Sequence, residues 1–154
     1  MSTPPFEIGR AGPADLDDLE RIERTCFDPR IAFSRRQLRG LLASASVRIW
    51  VLRHEGRVAA DAITLRRQAR GGVTARIYSL AVLPEHRGKG FGKALLAVCL
   101  EDLRSTGAKS IHLEVGVENV SAASLYESFG FRKVGLIPDY YAPGQEAWKM
   151  RLDL

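Results

Sequence analysis

Apolar and polar positions along this chain follow two rhythms. Phe6-Glu7-Ile8 alternates with period two and reads as a short strand. A helical period follows, in which Leu16, Leu19, Ile22, Glu23 and Cys26 share one face. Pro13 stands at the start of that helix, and Asp15, Asp17 and Asp18 fill its first turn, where the helix dipole favours negative charge. Asp28-Pro29 ends it, because the residue before proline is driven out of the helical region. Ser34-Arg35-Arg36-Gln37 has the form of a capping box, opening a second helix through Leu38, Leu41 and Leu42.

Strand rhythm returns at Val47 to Leu52 and again at Val58 to Leu65, with His54-Glu55-Gly56-Arg57 as the hairpin turn. The basic run Arg66 to Gly72 is expected to be a loop, and Thr74 to Val82 the next strand. A third helix is predicted from about Gly90 to Thr106, with Phe91, Leu95, Val98 and Leu103 on one side and Gly107 closing it. Ser110 to Val115 is a strand, and Ser121 to Ser128 a helix that stops near Gly130. Phe131 to Ile137 and Ala147 to Leu152 are the last strands, joined by an expected loop from Pro138 to Glu146. The order is β-α-α-β-β-β-α-β-α-β-β. Hairpins combined with one β-α-β crossover imply a mixed sheet covered by helices, an α/β (α+β) architecture of about seven strands and four helices in a single domain over residues 1–154.

Composition narrows the function classes. A chain of 154 residues with 45% hydrophobic and 27% charged residues is ordinary for a globular protein. Nothing approaches the ~20 apolar residues that span a bilayer, so no membrane partner is expected. The first residues lack a basic region followed by an apolar one, so no signal peptide is expected and the location should be cytoplasmic. Cys26, Cys99 and the three histidines lack ligand spacing, so no metal is expected. The net charge of +5 is spread over the chain without aromatic interleaving, so direct nucleic-acid binding is not expected.

The chemistry concentrates at Arg87-Gly88-Lys89-Gly90-Phe91-Gly92-Lys93, between a strand and a helix start. Backbone N–H groups at a helix N-terminus lack intrahelical partners and favour an anion, and glycines let the backbone approach it. Arg87, Lys89 and Lys93 add positive charge, so the natural guest is a phosphate or pyrophosphate. A Walker loop is excluded because Arg87 stands at its first glycine and Ala94 at its final Ser/Thr. The dinucleotide fingerprint G-x-G-x-x-G fails on spacing. What fits is R-x-x-G-x-G, through Arg87, Gly90 and Gly92.

That motif resembles the acetyl-CoA pyrophosphate loop of the GNAT acetyltransferase superfamily, and the element order resembles the GNAT acyl-CoA N-acyltransferase fold. A second pattern supports it: Asn119, Ala122, Leu125-Tyr126 and Gly130-Phe131 read N-x-x-A-x-x-L-Y-x-x-x-G-F, preceded by Leu113-Glu114-Val115. With Asp139-Tyr140-Tyr141 and the ending Ala147 to Leu152, the chain resembles the ribosomal-protein-alanine N-acetyltransferase branch over about residues 6–154.

The resemblance implies acetyl-CoA as co-substrate and a peptide or protein N-terminus as acceptor. It implies that Glu114 is the general base and Tyr126 the acid that protonates the departing thiolate. Leu80, Ala81 and Val82 would hold the pantetheine arm by backbone groups, Gly88 to Lys93 the pyrophosphate, and Asn119 the same arm. Phe27, Tyr140 and Tyr141 would line the acceptor slot. From alternation alone, Ile111, Leu113 and Val115 point one way and His112 and Glu114 the other, and a carboxylate amid a short apolar strand is costly unless paired or functional. His112 is the rival base. A peptide α-amine, with pKa ~7.7–8.0 against ~10.4 for lysine, is cheaper to neutralise by about 3.5 kcal/mol. A small amine or a lysine is the alternative acceptor, and a non-catalytic acyl-CoA-binding module the alternative of another class.

Overall fold

The computed structural model describes residues 5–154, the side chain of Tyr141 excepted. The strands are β1 (Phe6–Arg10), β2 (Val47–His54), β3 (Arg57–Ala69), β4 (Gly72–Val82), β5 (Ala108–Gly116), β6 (Arg132–Ala142) and β7 (Gln145–Asp153). The helices are α1 (Leu16–Cys26), α2 (Arg35–Ala43), α3 (Phe91–Ser105) and α4 (Val120–Ser128). The strands form one sheet in the order β1-β2-β3-β4-β5-β7-β6. Every neighbouring pair is antiparallel except β4 with β5, the crossover through α3.

Local chemistry explains the element ends. The Ser34 hydroxyl accepts from the Gln37 N–H at 3.2 Å, and the Gln37 side chain accepts from the Ser34 N–H at 2.8 Å, a complete capping box. The β2–β3 turn is tight because Glu55 and Gly56 both adopt positive φ, 54° and 76°, as a two-residue hairpin of matching twist requires.

Two expected loops are strand instead. Arg66 to Ala69 continues β3 and pairs with Gly72 to Ala75, leaving only Arg70-Gly71 as the turn. The run looked loop-like because its arginines lie on an extended hairpin beyond the helical cover, where polar residues are free to occupy both faces. Pro138 to Ala142 continues β6, with the turn at Pro143-Gly144. Pairing is nevertheless interrupted there, jumping from Ile137↔Ala147 to Ala142↔Gln145, so Pro138 to Tyr141 bulges outward. Asp139, at φ 53°, fixes the bulge by accepting the Gly144 N–H at 2.6 Å.

The sheet is covered unequally. Leu96, Leu100 and Leu103 of α3, with Ala123 and Tyr126 of α4, pack on Ile77, Ile111, Leu113 and Met150. The other face is covered over β2–β4, where Leu19 and Ile22 of α1 and Leu38 of α2 meet Val51, Ile63 and Ala81. Leu19, Ile22 and Leu38 are fully buried, each contributing about 1.5–3 kcal/mol by removal from water. Beyond that cover, His112 lies opposite Arg151 and Glu114 opposite Lys149 on the remaining sheet face.

Two irregularities open the sheet at its centre. On β4 the register with β3 slips from Ile63↔Ser79 to Thr64↔Ile77, making Tyr78 an extra, bulged residue. Between β4 and β5, pairing covers Val73 to Arg76 against Ala108 to His112, and among the described residues no ladder joins Ile77–Val82 to Leu113–Gly116. The parallel strands therefore part in the middle of the domain, leaving backbone groups of β4 unpaired along that edge.

Candidate active site

A cavity of about 460 Å³ occupies the parting of β4 and β5. Every element that frames it brings a different kind of group.

Beyond the end of β4, outside the cavity lining itself, lies the start of α3. Gly90 caps the helix at φ 80°, and Gly88 has φ 77°, both in the left-handed region that favours glycine. The first helical bond is from the Ala94 N–H to the Gly90 carbonyl at 3.1 Å, so the N–H groups of Phe91, Gly92 and Lys93 sit at the turn that lacks helical acceptors. The Phe91 ring is buried against Phe6 and His54, so this residue offers only its backbone outward. Lys93 is exposed. Arg87 turns back instead: its Nε donates to the Val82 carbonyl at 2.9 Å, and its Nη2 stands 3.9 Å from Cys26 Sγ. Its guanidinium staples the loop to the end of β4 and to α1.

The three β4 residues expected to hold a pantetheine arm differ from one another. Leu80 lines the cavity. The Ala81 side chain lies in the core under α1 and α2. The Val82 carbonyl already accepts from Arg87 and from the Cys26 thiol at 3.6 Å, so it is not open to a ligand as expected. The bulge at Tyr78 shifts the alternation of this strand, which the sequence does not show.

α4 brings Asn119 and Tyr126 to the cavity wall. The Asn119 side chain accepts the Ala122 N–H at 3.2 Å, a helix cap. Tyr126 is 6% exposed, with its ring edge-on to Phe131 at 5.6 Å.

On the opposite side stand Glu114 and aromatic groups. Arg76 Nη1 donates to both Glu114 oxygens, at 2.6 and 2.5 Å, a charge-assisted pair that fixes the carboxylate. Glu114 is thus neither bare nor solvated. Arg76 was missed in the sequence, because its meeting with Glu114 depends on the parallel register of β4 and β5, which places it beside His112. Phe27 and Phe33 form one wall, and Tyr140 stands at the mouth on the β6 bulge, 42% exposed. Burial, together with the charge of Glu114, raises the Tyr140 hydroxyl above its usual pKa. The side chain of Tyr141 lies outside the described residues. His112 is not in this cavity. It lines a shallower groove with Arg67 and Thr74, its Nε2 3.0 Å from Ser110 Oγ, and burial with the charges of Arg151 and Arg76 lowers its pKa.

One lining group was counted only as part of a helical stripe. Glu23 of α1 is 1% exposed. Its Oε2 accepts the Phe33 N–H at 3.0 Å, while Oε1 has no hydrogen-bond partner. Burial pushes its carboxyl up to about 6, against the pull of the Phe33 N–H and the neighbouring Ser79 hydroxyl. Asp61 of β3, also fully buried, is driven well above the usual carboxylate range by burial and by the charge of Glu23. A carboxylate inside an apolar stripe was the available signal. Among the described residues no cluster of three or more His, Cys, Asp or Glu could hold a metal ion.

The profile of the acetyltransferase (GNAT) family matches residues 15–131. The chain belongs to the GNAT family. The mixed seven-stranded sheet with four helices is the GNAT fold. The crystal structure of the ribosomal-protein-S18-alanine N-acetyltransferase from Escherichia coli superposes with a TM-score of 0.83 at 25% identity, covering 97% of this chain and 94% of that one. An uncharacterized protein of Mycobacterium leprae is 34% identical over 96% of this GNAT chain and 40% of its own length. An N-alpha-acetyltransferase of Saccharolobus solfataricus is 40% identical over 48% of this chain and 45% of its own length. The matched stretches thus span less than half the length of these curated relatives. Among the described residues no helix is long and apolar enough to cross a membrane.

Proposed function

We propose that this protein transfers the acetyl group of acetyl-CoA to the α-amino group of a peptide or protein N-terminus, with residues 1–154 acting as one domain in the cytoplasm. The observation that carries this is the cavity in the β4/β5 parting, which brings Leu80 and Tyr126 together with Glu114 and Tyr140. A binding module needs no fixed carboxylate facing a tyrosine across such a gap. The names of the S. solfataricus and E. coli relatives support the N-terminal acceptor.

The residues fit acetyl-CoA. Left-handed Gly88 and Gly90, and the N–H groups of Phe91 to Lys93, suit a pyrophosphate, with Lys89 and Lys93 adding charge. The unpaired edge of β4 at Leu80 suits the amide groups of the pantetheine arm, and Asn119 stands on the far wall. Acetyl-CoA supplies the acyl group as an activated thioester. Glu114, held by Arg76, is the catalytic carboxylate that draws in and orients the acceptor's ammonium. Tyr126 directs its hydroxyl to the leaving sulfur, whose own pKa near ~8.5 asks for little help. The new bond is nitrogen to acyl carbon, the carbon–sulfur bond breaks, and one proton goes to bulk solvent. Phe27, Tyr140 and Tyr141 line the acceptor slot.

A CoA-release assay tests this. A peptide with a free N-terminus and small first residue should outrun both its N-terminally blocked, lysine-bearing twin and simple polyamines. Faster acetylation of the twin or of a polyamine would replace the N-terminal acceptor with a lysine or small amine. No CoA release from any amine, with acetyl-CoA bound, would leave a binding module.

A further inference from the structure

The proposed reaction accounts for Glu114 but leaves a second carboxylate in the cavity without a task. Glu23 is more deeply buried than Glu114 and differs from it in its partners. Both oxygens of Glu114 are occupied by Arg76. Glu23 lines the cavity; its Oε2 accepts the Phe33 N–H, the Ser79 hydroxyl is close by, and its Oε1, itself buried, has no hydrogen-bond partner. A buried carboxylate oxygen without a donor is costly, and such exceptions in a native site call for a function. Glu23 also stands next to Ser79, one residue before Leu80, on the β4 segment that parts from β5.

We propose that Glu23 is the proton acceptor of the reaction, its carboxylate at the cavity wall receiving a proton from the acceptor's ammonium while the Arg76-bound Glu114 holds that ammonium in place. This rests on the acetyltransferase function proposed above. An N–H bond of the ammonium breaks and an O–H bond forms on Glu23. The neutral amine then attacks the thioester carbon, CoA leaves with a proton, and Glu23 returns its own proton to solvent. The surroundings suit the exchange. Asp61 faces Glu23 from β3, Cys26 follows it on α1 with Arg87 behind, and Arg76, Glu114 and Tyr140 lie around the same cavity. Among the described residues no cation pairs with Glu23, and burial holds its carboxyl at about 6, near the pH at which an amine must be relieved of its proton.

The test compares wild type, Glu23→Gln and Glu23→Asp with a free N-terminal peptide from pH 5 to 8.5. Gln keeps an oxygen for the Phe33 N–H, so it removes basicity and retains the structural bond. Turnover of Glu23→Gln should fall about 10²-fold at pH 8, the scale of a lost general base, with unchanged acetyl-CoA affinity. The deficit should shrink toward pH 5, where the wild-type carboxylate is itself protonated. Glu23→Asp should recover part of the loss. A purely structural role would give a deficit that does not move with pH, and that result, or turnover within about threefold of wild type, overturns the proposal. Should the variants not fold, ¹³C titration of wild-type glutamate carboxyls decides: a signal near pH 6 that shifts on adding acceptor peptide supports it, and its absence or indifference to peptide overturns it. Inactive wild type toward every N-terminal peptide would instead overturn the function proposed above.

Discussion

The α3 turn and the acceptor wall of the cavity are built on different principles. The α3 turn, at the end of β4 and outside the cavity lining, is made of backbone: a run of consecutive residues, Gly88 to Lys93, shaped by left-handed glycines and stapled by Arg87 to Val82. The acceptor wall is made of side chains brought from α1, β4, β5 and the β6 bulge, with Glu23, Arg76, Glu114 and Tyr140 separated by long stretches of chain. A site of backbone N–H groups tolerates most side-chain exchanges and fails when φ is forced. A site of side chains fails when one charge is removed and leaves the backbone intact. The construction therefore predicts which kind of substitution each withstands.

The largest effect belongs to the acceptor wall. Glu114→Gln should lower turnover by about 10²-fold or more, with acetyl-CoA affinity unchanged by calorimetry. Arg76 would then face the incoming ammonium uncompensated, which adds repulsion to the lost attraction. A comparable loss of acetyl-CoA affinity would erase the distinction between the two.

At the α3 turn, Gly90→Val should weaken acetyl-CoA about tenfold and destabilise the fold by about 1–2 kcal/mol, the usual cost of an L-residue in the left-handed region. The folding cost is strain at φ 80°, since a Cβ at Gly90 meets no protein atom within 4 Å. Lys93→Ala, which leaves the backbone untouched, should weaken binding far less. Equal effects from the two changes would mean that charge, not backbone geometry, binds the anion.

The same contrast explains what could be read from the residues in order. The α3 turn, the Ser34–Gln37 capping box and the Glu55-Gly56 hairpin are local, and their chemistry lies within a few consecutive positions. The acceptor wall depends on register. Arg76 meets Glu114 only because β4 and β5 are parallel neighbours, and Tyr140 reaches the mouth only because Pro138 to Tyr141 bulges from its ladder. Glu23 sat in plain view within an apolar stripe, but its orphaned oxygen appears only once Phe33 and Ser79 are folded against it. The Tyr78 bulge resets alternation along β4, so a period-two count carried from Thr74 assigns Leu80 and Ala81 to the wrong faces.

Tyr140 measures how far the acceptor wall extends. Tyr140→Ala should raise the peptide KM about fivefold and leave the acetyl-CoA KM unchanged, as expected for a group that contacts only the acceptor. A parallel rise in both would place Tyr140 in support of the whole cavity.

The smallest effect is on stability, and it separates a working carboxylate from a structural one. The Glu23 carboxyl titrates at about 6 in the fold against an ordinary 4.5, so the folded state holds this proton more tightly than the unfolded chain. Its contribution is therefore favourable below about pH 4.5 and is lost as pH rises through 6, the reverse of a salt-bridged carboxylate. From those two values the penalty at neutral pH is about 2 kcal/mol. Burying the Gln amide in its place costs about 1 kcal/mol, leaving a net gain of about 1 kcal/mol for Glu23→Gln at pH 7.5. Urea unfolding at pH 7.5 and pH 4.5 checks this, with Glu23→Gln ahead of wild type at the higher pH and the advantage gone at the lower. A variant that is more stable and nearly inactive identifies a charge retained for chemistry at the fold's expense. A variant destabilised at both pH values would make Glu23 a strut for the α1–α2 connection through its bond to Phe33.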